Sequence, residues 1–340
     1  MELQFNILSI DGGGIRGMLP AMLIAEIEKR LRMATGKDDC YISDYFDLIA
    51  GTSAGGILAC YYLYNQNGKR LDATKAVDMY ETYGKTIFQK RLFRNIIRLF
   101  DALYPADGID QILYNTLGDA KLSEAPCNCA IMAYDITDRK AVIFTADSAR
   151  REKGRDYLLR DIARATSAAP TFFRVAQATS MDNVPSYLID GGIYANDPTI
   201  CGIIEARKTM FRKREQTPKI KDMYVVSIGT GNIAKSYVYE RAKRWGVISW
   251  AIPVIDMLQS SSAEVVSYQV KSLFDSENSS NNYIRIVPDL HNASTQMDDA
   301  SDKNIRNLKE AGTRSIATNS ALLDLIVSKL TTFDINRNKL

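Results

Sequence analysis

Phe46-Asp47-Leu48-Ile49-Ala50-Gly51-Thr52-Ser53-Ala54-Gly55-Gly56 begins as an apolar strand and ends in glycines that open an apolar helix, predicted over Ala54 to about Asn65. A strand that turns this abruptly into a helix forms an elbow, and Gly51-x-Ser53-x-Gly55 places a serine at its apex. The hydroxyl is then presented at a helix N-terminus on strained backbone, where flanking side chains would clash. Thr52 or Ser53 could instead merely cap the helix. Capping, however, gives no reason for glycine at Gly51, Gly55 and Gly56.

The same strand–loop–helix pattern occurs upstream. Strand Phe5–Ile10 runs into Asp11-Gly12-Gly13-Gly14-Ile15-Arg16-Gly17, followed by a helix predicted over Leu19 to Met33. Consecutive glycines leave backbone N–H groups unobstructed beside the positive end of a helix dipole, which suits an anion. A tight structural turn and a dinucleotide loop remain alternatives, since Gly12, Gly14 and Gly17 satisfy G-x-G-x-x-G. The ribose-binding acid expected at the end of the next strand is replaced by Ala50-Gly51. Further on, Asp190-Gly191-Gly192 follows a short strand at Tyr187–Ile189. Ser53 needs a base, and a carboxylate at a strand end can lie beside a neighbouring elbow.

Additional strands are predicted at Cys129–Tyr134, Ala141–Thr145, Met223–Ile228 and Tyr283–Val287, with helices between them and a mostly helical part from Trp250 onward. This alternation predicts an α/β fold: a mainly parallel central sheet sandwiched by helices. No repeat or long linker divides the 340 residues, so one domain over 1–340 is expected, with the helical C-terminal part packed on a core at about 5–200. At 46% apolar and 24% charged residues the composition is that of a globular protein, not of a disordered or disulfide-knot chain. Lys and Arg total 43 against 40 Asp and Glu, too even a balance to point to a nucleic-acid polymer as partner. The five cysteines are scattered, which fits a reducing compartment. With no secretory leader at the start, the cytoplasm is the expected location. A single histidine, His291, excludes multi-histidine metal and haem sites.

Taken in order with Arg164-Ala-Thr-Ser-Ala-Ala-Pro-Thr-Phe-Phe173 and Met297-Asp-Asp-Ala-Ser301, the three glycine motifs resemble those of the patatin-like phospholipases, and the resemblance spans nearly the whole chain. It implies a patatin-like three-layer fold and a lipid acyl hydrolase of the phospholipase A or lysophospholipase type. By the same resemblance Ser53 is the nucleophile, Asp190 its only partner, and Gly12, Gly13 and Gly14 with Arg16 the oxyanion loop. Gly17, Gly51, Gly55, Gly191 and Gly192 are the remaining motif glycines. The missing leader makes the chain look more like the intracellular bacterial members than the plant storage ones. Two competing readings are an α/β-hydrolase-type esterase with a Ser53–Asp190–His291 triad, whose chain order matches, and a non-catalytic nucleotide- or lipid-binding protein that uses the glycine loop. The polar setting of His291, Asp289-Leu290-His291-Asn292, favours a solvated loop residue.

The substrate implied by the resemblance is a phospholipid or other acyl lipid at a membrane surface. Over residues 86–100, Phe88, Leu92, Ile96 and Leu99 fall on one side of a helix and Lys90, Arg91, Arg94 and Arg98 on the other, a pattern that fits either burial on the sheet or peripheral contact with an anionic bilayer. No cofactor and no metal is expected, and Asp298 and Asp299 read as capping or solvated residues. A small-molecule activator, used by some bacterial relatives, has no residue pattern here to establish it.

Overall fold

The computed structural model describes residues 4–88, 102–208, 217–232 and 236–337. Eight strands form one sheet: β1 Phe5–Ile10, β2 Leu48–Thr52, β3 Asn128–Asp135, β4 Lys140–Phe144, β5 Ala176–Thr179, β6 Pro185–Asp190, β7 Met223–Ile228 and β8 Tyr283–Ile286. Their order is β5-β6-β3-β2-β1-β7-β8, with β4 paired to β3. The helices, in chain order, are α1 Met18–Thr35, α2 Ile42–Tyr45, α3 Ala54–Tyr62, α4 Ala73–Ile87, α5 Asp107–Leu117, α6 Ala146–Arg151, α7 Leu159–Thr166, α8 Thr199–Lys208, α9 Tyr239–Ala242, α10 Val247–Ser276, α11 Asp302–Thr318 and α12 Ser320–Arg337.

The central strands β1, β2 and β7 are buried along their whole length and read as mostly apolar runs, as parallel strands covered on both faces do, with Asn6, Ser9, Thr52 and Ser227 as buried polar exceptions. Successive residues supply opposite cores. Leu8 and Ile10 pack with Leu19, Leu23 and Ile27 of α1 and with α3, whereas Phe5 and Ile7 pack with Ile203 of α8 and with Val266, Val270 and Phe274 of α10. The α/β sandwich expected from the sequence is therefore present. Pairings β1–β2, β2–β3, β1–β7 and β7–β8 are parallel, while β4, β5 and β6 join antiparallel, so the parallel character is confined to one part of the sheet.

The antiparallel part decides what happens at the elbow. Ile131 of β3 pairs with Gly51 on one edge and Phe144 of β4 on the other; Ala133 pairs with Val142 of β4 and with Asp190 of β6. Since β4 occupies the second edge throughout, β2 and β6 share the first. They run toward each other along it, β2 ending on the rung Thr52–Met132 and β6 on the adjacent rung Asp190–Ala133. The C-terminal ends of two distant segments thus meet head to head. Among the described residues no helix is long and apolar enough to cross a membrane.

Candidate active site

Ser53 follows Thr52 directly, with φ 54° and ψ −122°. Such a conformation costs a non-glycine residue about 1–3 kcal/mol and persists only where its surroundings enforce it. Thr166, the last residue of α7, does so from beneath: its hydroxyl accepts from the Ser53 N–H at 3.0 Å and donates to the Met132 carbonyl at 2.6 Å. Thr52 Oγ1 donates to the Ala195 carbonyl at 2.6 Å. Close packing explains Gly55, because a Cβ there would lie 2.1 Å from the Ile10 carbonyl oxygen. Gly51 packs on the Gly55 backbone, Gly17 on Tyr80 and Ala54, and Gly191 on Met132 in the same manner.

Asp190 is fully buried. Its N–H donates to the Ala168 carbonyl at 3.0 Å, and Oδ1 accepts from the Gly192 N–H at 2.7 Å. Burial pushes its carboxyl up to about 7, against the opposing pull of the Ser53 hydroxyl and the Gly192 N–H. The hydroxyl is near enough to act on the carboxyl, yet Oδ2 makes no well-formed hydrogen bond. An acceptor thus stands open next to Ser53, as in many unliganded sites whose contacts close only around substrate.

The glycine loop is held by its carbonyls. Gly12 O accepts from Thr230 Oγ1 at 2.7 Å and from Asn196 Nδ2 at 3.4 Å; Gly13 O accepts from the Arg16 N–H at 3.2 Å and from Arg16 Nε at 3.4 Å. In a trans peptide the N–H points opposite to the preceding C=O. Pinning these two carbonyls therefore turns the N–H groups of Gly13 and Gly14 the other way, and neither has a hydrogen-bond partner among the described residues. Both glycines line the cleft that Ser53 lines. Gly14, at φ 58°, sits where a Cβ would also strike the Met297 carbonyl.

Two expectations about the loop are corrected. Gly12 is not a free donor, since its N–H is committed to the Asn196 carbonyl at 3.0 Å. Arg16 is buried and turned onto Gly13 O, so it shapes the loop and does not line the cleft; burial lowers its pKa to about 10, with Asp256 opposing. Thr230, Asn196, Thr166 and Gln259 were not singled out from the sequence. Gln259 is nearly buried on α10 and lines the cleft. These four residues come from separate segments; Thr166 lies within the Arg164–Phe173 motif quoted above, and Thr230 just beyond the C-terminal end of β7, the two signals that could have found any of them.

A cleft spanning about 580 Å³, part of it open to solvent, lies between Ser53 and the apolar side chains of Ile57, Tyr80, Ile87, Phe88, Ile109, Phe172, Phe173 and Met297. No lining residue among those described carries a positive charge. Of the basic stretch 86–100, Ile87 and Phe88 reach the cleft, while residues 89–101 lie outside the described residues. Met297 O accepts from the Ile15 N–H at 2.8 Å, tying the Met297–Ser301 motif to the glycine loop; Asp298 accepts from Tyr104, and Ser301 caps α11. His291 occupies an exposed turn beyond β8, with Nδ1 3.9 Å from Asp289 and no place in the cleft lining. The chain thus does not bring His291 to Ser53 and Asp190.

A family profile described as patatin-like phospholipase matches residues 8–200. The chain is 33% identical over 325 residues to a potato protein named "Probable inactive patatin-3-Kuras 1" (Solanum tuberosum), covering 90% of this chain and 85% of the relative. It is 33% identical over 347 residues to patatin-like protein 2 of rice (Oryza sativa subsp. indica), covering 94% and 85%, and 33% identical over 344 residues to patatin-like protein 3 of Arabidopsis thaliana, covering 90% and 79%. Among solved structures, VipD from Legionella pneumophila aligns with a TM-score of 0.41 at 14% identity, over 95% of this chain and 67% of that one. With its elbow, glycine loop and Asp-Gly-Gly turn all within the matched span, the chain belongs to the patatin-like phospholipase family.

Proposed function

We propose that the protein hydrolyses fatty-acyl esters of lipids through an acyl-enzyme on Ser53, with Asp190 as the proton acceptor. The reading is carried by one observation: the residues closing β2 and β6 stand on adjacent rungs of one edge of β3, with the partnerless N–H groups of Gly13 and Gly14 in the same cleft. One potato relative bears a name that calls it inactive. Activity is therefore argued from this chain's own residues.

Ser53 Oγ attacks the ester carbonyl carbon as its proton passes to Asp190. A carboxylate at its ordinary value near 3.9 would be a feeble acceptor; raised to about 7 by burial, it is better matched while remaining largely ionised in mildly alkaline solution. The carbonyl oxygen becomes an oxyanion that takes up the N–H groups of Gly13 and Gly14, each such donor contributing roughly 3 kcal/mol to the barrier reduction. The departing alkoxide recovers the proton from Asp190. Water then attacks the Ser53 ester, giving its proton to Asp190, which returns it to Ser53 Oγ as the fatty acid leaves. The apolar lining suits the acyl chain.

The test is labelling with a fluorophosphonate probe alongside turnover of a short-chain nitrophenyl ester and of phospholipid vesicles. The wild-type chain takes the label and turns over both substrates; Ser53→Ala does neither. Absence of labelling in a folded wild-type chain overturns the reading. His291→Ala keeps full activity, and a loss of several orders of magnitude there restores the triad.

A further inference from the structure

α10 carries a second face that the core does not use. Ile255, Gln259, Val266 and Val270 turn inward. Val247, Trp250, Val254, Leu258, Val265 and Tyr268 are exposed; at about 100° per residue they fall within one stripe, roughly 30 Å long at ~1.5 Å per residue. Val247 is 90% and Tyr268 74% exposed. At the N-terminal end of the stripe, Trp245 stacks edge-on between Tyr237 and Trp250, with centroids 5.2 and 5.0 Å apart, and the Tyr237 hydroxyl donates to Asp256 at 2.7 Å. The cluster is thus fixed to the helix before any partner arrives. Beside it Arg241, Lys243 and Arg244 are exposed, and Glu240, paired with Lys243, and Asp256, bonded to Tyr237, are the only carboxylates between 236 and 258.

We propose that the segment Tyr237–Leu258 is a docking surface for an anionic lipid bilayer. Aromatic rings flanked by cations beside an exposed aliphatic helix face match the interface of a bilayer, where rings occupy the headgroup level and cations meet anionic lipid. A second copy of the chain fits less well, because two-fold pairing would set this basic rim against itself. The same helix carries Gln259 into the cleft lining, so the surface and the site share one element. The proposal rests on the acyl-lipid reading above and commits that reading to a surface.

Trp245 and Trp250 are the chain's only tryptophans, so tryptophan emission, excited selectively over the tyrosines, reports on this patch alone. The full-length Ser53→Ala chain is mixed with vesicles of phosphatidylcholine, with and without phosphatidylglycerol, whose acyl chains are brominated. Quenching is expected with the anionic vesicles and should weaken with salt. Val247→Asp, and separately Arg241→Glu with Arg244→Glu, lower vesicle affinity by about tenfold or more. In the Ser53 background these variants leave turnover of a soluble short-chain ester within about twofold of wild type, because they touch nothing in the cleft. Absent quenching, or unchanged vesicle affinity in both variants, overturns the proposal even if the soluble ester is hydrolysed. Sedimentation showing a dimer that Val247→Asp dissociates overturns it in favour of self-association. Quenching in a chain that hydrolyses no ester supports docking while removing the hydrolase reading.

Discussion

At Asp190 the geometry that supports catalysis also weakens the fold. The folded carboxyl titrates near 7, whereas in the unfolded chain it returns to about 3.9. Between these values the folded state holds the proton and the unfolded state does not, so the stability this group contributes is greatest in acid and declines as pH rises toward 7. Asp190→Asn keeps an oxygen for the Gly192 N–H and removes the ionisation. Calorimetry should therefore show the variant more stable than wild type at pH 8, by on the order of 3 kcal/mol, with the advantage vanishing near pH 4. Activity moves in the opposite direction: wild-type kcat/KM climbs through pH 7, and the variant is inactive throughout. An active Asp190→Asn chain removes the carboxylate from the mechanism. Thr230 offers a subtler case. Thr230→Val preserves shape and deletes the hydrogen bond to Gly12 O, loosening the peptide that aims the Gly13 N–H. A fall in kcat of about tenfold with little change in KM is expected, since a ground-state carbonyl gains less from that donor than an oxyanion does. Equal changes in both constants would assign Thr230 to substrate binding.

Two elements, the elbow and the hairpin that ends in Asp190, differ in how far the sequence exposes them. Gly55 shows why the elbow is legible: the strand-to-helix turn packs its first helical residues against β1, so small residues are required at fixed spacing. Gly55→Ala forces a methyl group to within 2.1 Å of Ile10 O. Since α3 and β1 would have to separate, a loss of about 2–4 kcal/mol is expected in chemical denaturation, and an unchanged midpoint would mean that the elbow is looser than described. β5, by contrast, is Ala176-Gln177-Ala178-Thr179, four residues without a large side chain, and nothing in it announces a strand. Its pairing with β6 nevertheless turns β6 antiparallel and carries Asp190 toward Ser53. The Asp190–Ser53 encounter could be anticipated as chemistry, from a serine that needs a base. The head-to-head arrangement along β3 could not, because it depends on pairings between residues about 55 and 80 positions apart. The same applies to Thr230 and Asn196, polar residues of ordinary appearance until the fold sets both against the Gly12 carbonyl.

Across the whole molecule, the glycine loop depends on a buried charge that spans the far side of the sheet. Arg285 of β8 donates through both terminal nitrogens to Asp11, the residue that opens the loop; it also bonds Ser227 of β7 at 2.6 Å and lies 3.3 Å from Asp197. Thr199 joins the group through Ser9 and Ser227, so β1, β7, β8 and the start of α8 share one polar centre inside an otherwise apolar sheet. Burial raises the Asp11 carboxyl to about 7 even with Arg285 pulling it down. Arg285→Met fills much of the volume but leaves two buried carboxylates without a cation, a defect that costs about 3–5 kcal/mol in comparable buried pairs. Loss of the cation raises the folded pKa of Asp11 further, while its unfolded value stays near 3.9. The variant is therefore penalised least in acid, where the folded carboxyl is protonated with or without Arg285, and increasingly as pH rises. Thermal unfolding of Arg285→Met and wild type at pH 5 and pH 8 measures this directly. A larger Tm deficit at pH 8 is expected, together with weaker fluorophosphonate labelling of Ser53 as the loop loses its anchor. Equal deficits at the two pH values would mean that losing Arg285 leaves the titration of Asp11 unchanged, and that Arg285 holds the sheet edge by packing alone.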